Sequence, residues 1–217
     1  MSNACDRVVF IGPSAHSTDR ATAPGITWRP PIRRGDLVAL PPHVRTVGIV
    51  DGEFDQSLAV TPREILALLH RGVDVVGASS MGALRAAELH DLGMRGVGRI
   101  FEMYRDEDVE ADDEVAIVFD PETLRPLTEP LVNVRCAVAR AERAGWIATT
   151  VAPAIIAAAR ALPYRARTYR RILSDAGAAL GSDLSALVPI LGQHDQKRLD
   201  ALLLFREVAA AGARGSV

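Results

Sequence analysis

Residues 72–93 read GVDVVGASSMGALRAAELHDLG, and this stretch decides the fold that the sequence predicts. The run VDVV at 73–76 is rich in β-branched residues, which is typical of a buried strand. Small residues follow, and the segment from Met81 onward is rich in Ala, Leu, Arg and Glu, which predicts a helix. Gly93 suits the position after a helix C-terminus. The chain therefore passes from strand through a tight turn into a helix, with serines at the turn.

The turn itself reads ASSMG at 78–82, a near relative of the G-x-S-x-G nucleophile elbow. In such an elbow small residues let the backbone turn sharply, so that the central serine, here Ser80, is held exposed above the sheet edge. The next amide, that of Met81, lies at a helix N-terminus, where free N–H groups and the helix dipole favour an oxyanion. Alternatively, Ser79 or Ser80 only caps the helix, because serine is a favoured N-cap residue.

Two more buried strands are predicted upstream, at 7–12 and 46–52. Thr61 and Glu64 then form the pattern of a capping box, which predicts a helix before the strand at 73–76. This β-α-β order predicts parallel pairing. Asp51 would lie at the carboxyl end of its strand, where open α/β folds bind ligands, although Asp-Gly is also an ordinary turn pair.

Downstream of the elbow, a further strand is predicted at 115–119, and an amphipathic helix at 128–144 with Thr128 as its cap. The remainder predicts helices at 149–160, 166–176 and 193–211. An acidic run precedes the predicted strand. Its carboxylates Asp112, Asp113 and Glu114 could hold a hard cation, dock a basic partner surface, or simply form a solvated edge.

Composition excludes several classes of function. A net charge of −2 gives no indication of nucleic acid or membrane-surface binding, and no apolar run approaches the ~20 residues that span a bilayer. The N-terminus has no signal-peptide pattern, and two sparse cysteines suit a reducing cytosol, so we expect a cytoplasmic protein. Histidine spacing predicts no metal site, and the absence of nucleotide-binding loops predicts no cofactor.

We therefore expect an α/β fold, with a small, mainly parallel sheet, helices on both faces and an α-helical C-terminal extension. The predicted division is an α/β core at 1–145, a helical region at 146–211 packed on the core, and a disordered tail at 212–217.

Several segments in order resemble the TfuA-like family. The resemblance covers roughly residues 7–145, and ASSMGALRAAEL at 78–89 is its most specific part. The other matching segments are VFIGPS at 9–14, RGD at 34–36, GIVDG at 48–52, REIL at 63–66, the glycine-led stretch 96–104, DDEVA at 112–116 and residues 126–135.

The resemblance implies a function that the residue pattern does not. Members of this family act beside YcaO enzymes, which activate backbone amides with ATP, and the pair installs thioamides in peptides or proteins. The family member hydrolyses the thiocarboxylate end of a ThiS-like sulfur carrier, which releases sulfide, and it helps the YcaO partner bind its peptide substrate. Its site is hydrolase-like, with a serine and a lysine.

Carried onto this chain, the resemblance makes Ser80 the nucleophile and the Met81 amide an oxyanion donor, and we add Asp51, Arg63 and Lys197 as further catalytic candidates. The family lysine falls at Arg63, which keeps its proton under ordinary conditions and is therefore a poor base, although it could bind a carboxylate or an oxyanion. The single lysine of the chain is Lys197, in a helix that the resemblance does not cover. Residues assigned to substrate or partner binding are Ser79, Arg85, Glu64, Glu88, Arg34, Asp36, Asp112, Asp113, Glu114 and Arg135.

Two functions thus compete. One is a sulfur-releasing hydrolase with Ser80 as nucleophile, and the other is a non-catalytic accessory protein that docks a YcaO enzyme and peptide. A generic serine esterase is a weaker third, because neither His90 nor His194 has a local signature of a catalytic base.

Overall fold

A parallel sheet forms the centre of the fold in the computed structural model, which describes residues 5–54 and 58–211. Its five strands all pair in parallel, in the order β2-β1-β3-β4-β5. The strands are β1 (Arg7–Phe10), β2 (Thr27–Arg29), β3 (Thr46–Ile49), β4 (Asp74–Gly77) and β5 (Arg95–Gly96). The predicted α/β class with a small parallel sheet is confirmed.

Eight α-helices accompany the sheet in the described part of the chain. They are α1 (Pro62–His70), α2 (Met81–Leu89), α3 (Arg99–Arg105), α4 (Leu131–Arg143), α5 (Ala152–Ala161), α6 (Tyr169–Leu180), α7 (Val188–Leu191) and α8 (Gln196–Ala211). The chain divides into two compact units. The sheet unit contains the described residues up to Glu110 and those from Lys197 onward, and the helical unit contains residues 111–196.

Glycines at two rows of the sheet bring helices close to both of its faces. Gly48 shares its row with Val9 and Val76, and a Cβ atom there would lie 2.7 Å from the Leu204 side chain of α8. On the opposite face, a Cβ atom at Gly77 would collide with the backbone of Gly82 in α2. The predicted helices on both faces, including one from the C-terminal region, are therefore present.

The strand order reverses between β1 and β3, which lie side by side while their chain continuations run to opposite edges. In an open parallel sheet, the loops that leave the carboxyl ends of two such strands separate and create a crevice. Here those loops begin at Ile11 after β1 and at Val50 after β3. Any functional site of this sheet is expected there.

Helix boundaries that depend on local chemistry agree with the sequence. Thr61 caps α1, and its side chain and that of Glu64 form the predicted capping box. The helix after the elbow begins at Met81 as predicted and ends at Leu89, followed by a 3-10 turn (His90–Leu92) and Gly93 at φ 104°. Glycine reaches this left-handed conformation without steric cost, so it ends the helix.

Three local predictions are wrong or incomplete. No strand forms at 115–119; Phe119 makes one isolated antiparallel bridge to Pro126, and proline has no N–H to extend a ladder. Thr128 does not cap α4, because its hydroxyl accepts a hydrogen bond from the Val118 amide and Pro130 is the N-cap residue. The short strands β2 and β5 were not predicted.

The helical unit has an apolar core of its own. Val134 of α4, Ile155 of α5 and Ile172 of α6 are fully buried within one cluster. Our division after residue 145 stays a prediction, and the tail predicted to be disordered, 212–217, lies outside the described residues. Among the described helices, none is both long enough and apolar enough to cross a membrane.

Candidate functional site at the carboxyl edge of the sheet

Asp51 is the centre of a buried polar cluster at the β1/β3 crevice. Its carboxylate accepts hydrogen bonds from the Gly12 amide (2.8 Å), the Ser14 amide (3.0 Å) and the Ser14 hydroxyl (2.6 Å). These donors belong to the loop after β1, whereas Asp51 follows β3. The predicted position of Asp51 at the carboxyl edge is therefore correct, and its carboxylate ties together the two loops that form the crevice.

Lys197 joins the same cluster from the C-terminal end of the chain. Its Nζ atom lies 4.0 Å from Oδ1 of Asp51, and both side chains are almost fully buried, at 3% and 4% exposure. A lysine is rarely buried this deeply unless it is paired. The sequence offered no reason to place this lysine beside the loops of β1 and β3. The structure does so because α8 packs on the sheet.

The elbow lies beside this cluster. Strands β3 and β4 pair up to Ile49 and Gly77, and Asp51 and Ser79 each follow this last pair by two residues. The Ala78 amide does donate to the Ile49 carbonyl (3.1 Å), and the Gly82 amide donates to the Val50 carbonyl (3.1 Å). These bonds fix the turn between β4 and α2 against the segment that carries Asp51.

The backbone of the elbow turns sharply at Ser79. This residue has φ 69°, and the Ser80 amide donates to the Ala78 carbonyl across it (2.8 Å), which closes a three-residue turn. Gly82 permits the helix to start so close to the sheet, because a Cβ atom there would collide with the Ile49 carbonyl oxygen. The strand–tight turn–helix arrangement predicted from ASSMG is present.

The two elbow serines are neither exposed nor used as caps. Ser80 is the N-cap residue of α2, yet its side chain makes no capping hydrogen bond. Ser79 is 0% exposed and Ser80 2% exposed, so the expectation of an exposed serine above the sheet edge is wrong. The cause is the close packing of α2 on β3 and β4, which also buries Met81 and Ala83.

One amide at the start of α2 has no partner in the described part of the chain. The Gly82, Ala83 and Leu84 amides donate to Val50 and Ser80 carbonyls, whereas the Met81 amide makes no such bond. Free amides in the first turn are a general property of helices. The Met81 N–H is thus the donor that remains for an oxygen atom bound next to Ser80.

Arg63 and the residues around it belong to the start of α1. Arg63 is exposed, while the Glu64 carboxylate accepts from the Thr61 amide (2.9 Å) and from the Gly35 amide (2.6 Å). Asp36 accepts from the Arg33 amide (2.7 Å) in a turn that also contains the exposed Arg34. These contacts connect the 33–36 turn to α1.

The remaining predicted residues form ion pairs. In α2 the Arg85 guanidinium donates to both carboxylate oxygens of Glu88 (2.6 Å each). In the helical unit the buried Glu114 carboxylate receives a bidentate pair from Arg135 (2.7 and 2.9 Å).

The rest of the acidic run lies mostly at the surface. Asp112 and Asp113 are exposed, and the carboxylate of Asp113 contacts the buried Arg167 at 3.4 Å. Within the described residues, no group of three or more His, Cys, Asp or Glu side chains could hold a metal ion.

A second buried acidic cluster, in the helical unit, was not singled out by the sequence analysis. Burial and the neighbouring Asp195 carboxylate raise the pKa of Glu129 to about 7. Burial, followed by the charges of Glu129 and Asp195, raises the pKa of Tyr169, whose hydroxyl has no hydrogen-bond partner within residues 5–54 and 58–211. Asn133 donates to Asp195 (3.0 Å). Glu129 and Asp195 are far apart in the sequence, so no local pattern could have indicated this cluster.

Taken together, the sheet and its loops define an α/β protein with a serine elbow at the carboxyl edge of a parallel sheet, beside a buried Asp–Lys pair. The chain belongs to the TfuA-like family: the family model described as TfuA-like protein matches residues 51–168, which include Asp51 and the whole elbow. No curated protein matches the chain significantly.

Proposed function

We propose that this protein is a partner of a YcaO-type enzyme in thioamide formation, and that it hydrolyses the thiocarboxylate end of a ThiS-like sulfur carrier to release sulfide. Membership of the TfuA-like family supports the setting. The observation that carries the hydrolase chemistry is the position of the elbow at the same sheet edge as the buried Lys197–Asp51 pair. This position supports Ser80 as the nucleophile, Lys197 as the base and the Met81 amide as the oxyanion donor.

In this proposal the Ser80 oxygen attacks the acyl carbon of the thiocarboxylate and the carbon–sulfur bond breaks. Sulfide leaves with the proton that Ser80 gives up, and an acyl ester remains on Ser80. Water then attacks the ester, which returns the serine hydroxyl and frees the carrier with an ordinary carboxylate. The two steps together consume only water, so the reaction needs no cofactor.

The base in this scheme is Lys197 rather than Arg63. A lysine amine can give up its proton under conditions in which a guanidinium cannot, and Arg63 is exposed at the start of α1. The Asp51 carboxylate, held by the Gly12 and Ser14 donors, keeps the lysine side chain in place. Asp51 is therefore a positioning residue in this mechanism, because it acts through Lys197.

The oxyanion that forms during attack requires hydrogen-bond donors that are already oriented toward it. We assign this role to the Met81 N–H, which lies at the N-terminus of α2 and makes no hydrogen bond to the described residues. The Gly82 amide does not, because it donates to the Val50 carbonyl.

Sulfide release from a thiocarboxylated ThiS-like carrier tests the proposal directly. Release should be measured with the natural protein, with Ser80→Ala and with Arg63→Ala, and the acyl-enzyme should be sought by intact-protein mass. We expect release to disappear in Ser80→Ala and to persist in Arg63→Ala. Equal release by the Ser80→Ala variant would reject the nucleophile.

The burial of both serines favours a second candidate, a non-catalytic accessory protein that docks a YcaO enzyme and its peptide. A hydroxyl that is 2% exposed offers little surface to an acyl group. This candidate expects no sulfide release from the carrier, and it expects Ser80→Ala to leave unchanged the affinity of the YcaO enzyme for its peptide in the presence of this protein.

A further inference from the structure

Ser79 combines two unfavourable features in one residue. Its φ of 69° is uncommon outside glycine, and the Ser80-to-Ala78 hydrogen bond makes it the centre of a γ-turn with positive φ, which is a rare conformation. Two other non-glycine residues in the described chain have positive φ, Glu107 and Leu124, and neither is buried. Ser79 is thus the only buried residue of this kind in the described chain.

The second feature is the Ser79 hydroxyl. Its side chain is 0% exposed, and the Oγ atom has no hydrogen-bond partner among the described residues. Removing a hydroxyl from water without a new partner is unfavourable, so most buried hydroxyls are hydrogen-bonded. In the resting structure the Ser79 hydroxyl therefore lowers the stability of the sheet unit.

Folding alone does not account for either feature. Glycine would adopt the same φ without strain and would leave no unpaired polar atom. The strained, unpaired serine lies instead directly before Ser80, in the turn that the Ala78 and Gly82 amides bind to the segment leading to Asp51. Strained residues and unpaired polar groups that persist in native proteins concentrate at functional sites.

We propose that the Ser79 hydroxyl is a working hydrogen-bond donor of the elbow, unpaired at rest and donated to the acyl oxygen when the acyl group is attached to Ser80. The proposal rests on the hydrolase function proposed above. Ser79 and Met81 are the chain neighbours of Ser80, so the Ser79 hydroxyl would be a second donor beside the Met81 amide. Donors oriented before the reaction stabilise developing negative charge most effectively.

Two substitutions at Ser79 test this role, with a short peptide bearing a C-terminal thiocarboxylate as the probe. Ser79→Ala removes the hydroxyl, and Ser79→Gly removes the hydroxyl together with the strain of a positive φ. We expect both to lower kcat for sulfide release about 10²-fold, the usual effect of losing one oxyanion donor, with KM within about twofold. The thermal midpoint should stay the same or rise. A kcat within about twofold of the natural protein in both variants would overturn the proposal.

Tyr169→Phe is the matched control. It removes the other buried hydroxyl of the described chain that has no hydrogen-bond partner, and it does so in the helical unit. We expect it to raise the thermal midpoint and to leave kcat unchanged. A fall in kcat together with a gain in stability at Ser79 is an outcome that a purely structural residue would not produce.

Ser80→Ala and labelling with a fluorophosphonate separate this proposal from the function on which it rests. If Ser80→Ala still releases sulfide, the hydrolase function with Ser80 as nucleophile fails. If Ser80→Ala is inactive while both Ser79 variants are fully active, only the donor role fails. Peptide mapping should place the label on Ser80. A label on Ser79 would overturn the donor role and make Ser79 the nucleophile.

Discussion

Helices α1 and α2 begin in the same unit with a hydroxyl residue at the N-cap, yet the two hydroxyls have different surroundings. Thr61 forms a full capping box with Glu64 at the start of α1. Ser80 at the start of α2 makes no capping bond, and the Ser79 hydroxyl has no hydrogen-bond partner in the part of the chain that the structure describes. The start of α3 resembles α1, because the Asp200 carboxylate accepts from the Arg99 and Ile100 amides.

In the sheet unit, the start of α2 is thus a place where polar groups remain without hydrogen bonds to the described residues. Unpaired groups at helix starts are ordinarily satisfied by capping side chains, and a missing cap costs about 1 kcal/mol. At α2, a good capping residue is present but does not cap. The α2 start is also hydrogen-bonded to the residue before Asp51, through the Gly82 amide and the Val50 carbonyl, and Asp51 pairs with Lys197. A helix start that is less well satisfied than its neighbours is what a binding site for an oxygen atom requires.

The largest expected difference between the two helix starts is catalytic. Ser80→Ala should lower sulfide release by about 10³-fold or more, because it removes the proposed nucleophile. It should leave the free energy of unfolding nearly unchanged, since no capping bond is lost. Sulfide assay and urea denaturation of the same preparation check both parts. A fall of about 1 kcal/mol in the free energy of unfolding, as for a lost cap, would contradict the finding that Ser80 does not cap α2.

The next effect concerns the base beside the elbow. Lys197→Arg keeps a positive charge next to Asp51 but removes the ability to act as a base, so release should fall by about 10²-fold. Steady-state kinetics across pH 6–9 measure the effect. Adding Arg63→Lys to this variant restores a lysine where the family has one. Recovery of activity in the double variant would show that a lysine at the start of α1 can also serve Ser80. Unchanged release in Lys197→Arg alone would reject Lys197 as the base.

A third prediction compares two glutamates. Both carboxylate oxygens of Glu64 accept hydrogen bonds from backbone amides, whereas the Glu129 carboxylate makes no hydrogen bond with the described residues. The raised pKa of Glu129, about 7 against an ordinary 4.5, means that the folded protein holds this proton more tightly than the unfolded chain. Proton binding at Glu129 therefore adds its full contribution to the free energy of unfolding below pH 4.5. This contribution is lost as the pH rises from 4.5 to 7, and it is absent above pH 7.

Glu129→Gln mimics the protonated form, so it should stabilise the protein by about 2 kcal/mol at pH 8 and by much less at pH 5. Urea denaturation at the two pH values measures the difference. Glu64→Gln should instead destabilise at both, because its carboxylate holds the capping box and the Gly35 amide. If Glu129→Gln stabilised the protein equally at both pH values, the raised pKa of Glu129 would be contradicted.

The smallest expected effect is the loss of an ordinary cap. Thr61→Ala should lower the free energy of unfolding by about 1 kcal/mol and leave sulfide release unchanged, because Thr61 acts only within α1. Thermal and urea unfolding together with the sulfide assay check this. If Thr61→Ala also lowered release, the two helix starts would not be functionally distinct.

Sequence reasoning was most reliable where structure is local. The capping box at Thr61, the terminal Gly93 and the turn at 78–82 depend on neighbours within a few residues, and all three are present. The predicted strand at 115–119 was wrong. Its β-branched residues are as typical of a buried segment as of a paired strand, and the only strand-like contact of this segment with the described residues is the bridge from Phe119 to Pro126. The strands β2 and β5 were missed because runs of three and two residues carry no periodicity.

For the site, the sequence alone determined the residue types and the local geometry: a serine turn before a helix, an aspartate at a strand end, and one lysine in the whole chain. Only the tertiary structure decided that Lys197 meets Asp51, that Ser79 rather than Ser80 carries the strained φ, and that neither serine caps α2. The reason is physical. The capping box at Thr61 needs only atoms a few bonds apart, whereas burial, ion pairing across the sheet and the missing cap at Ser80 depend on how α8 and α2 pack on its two faces.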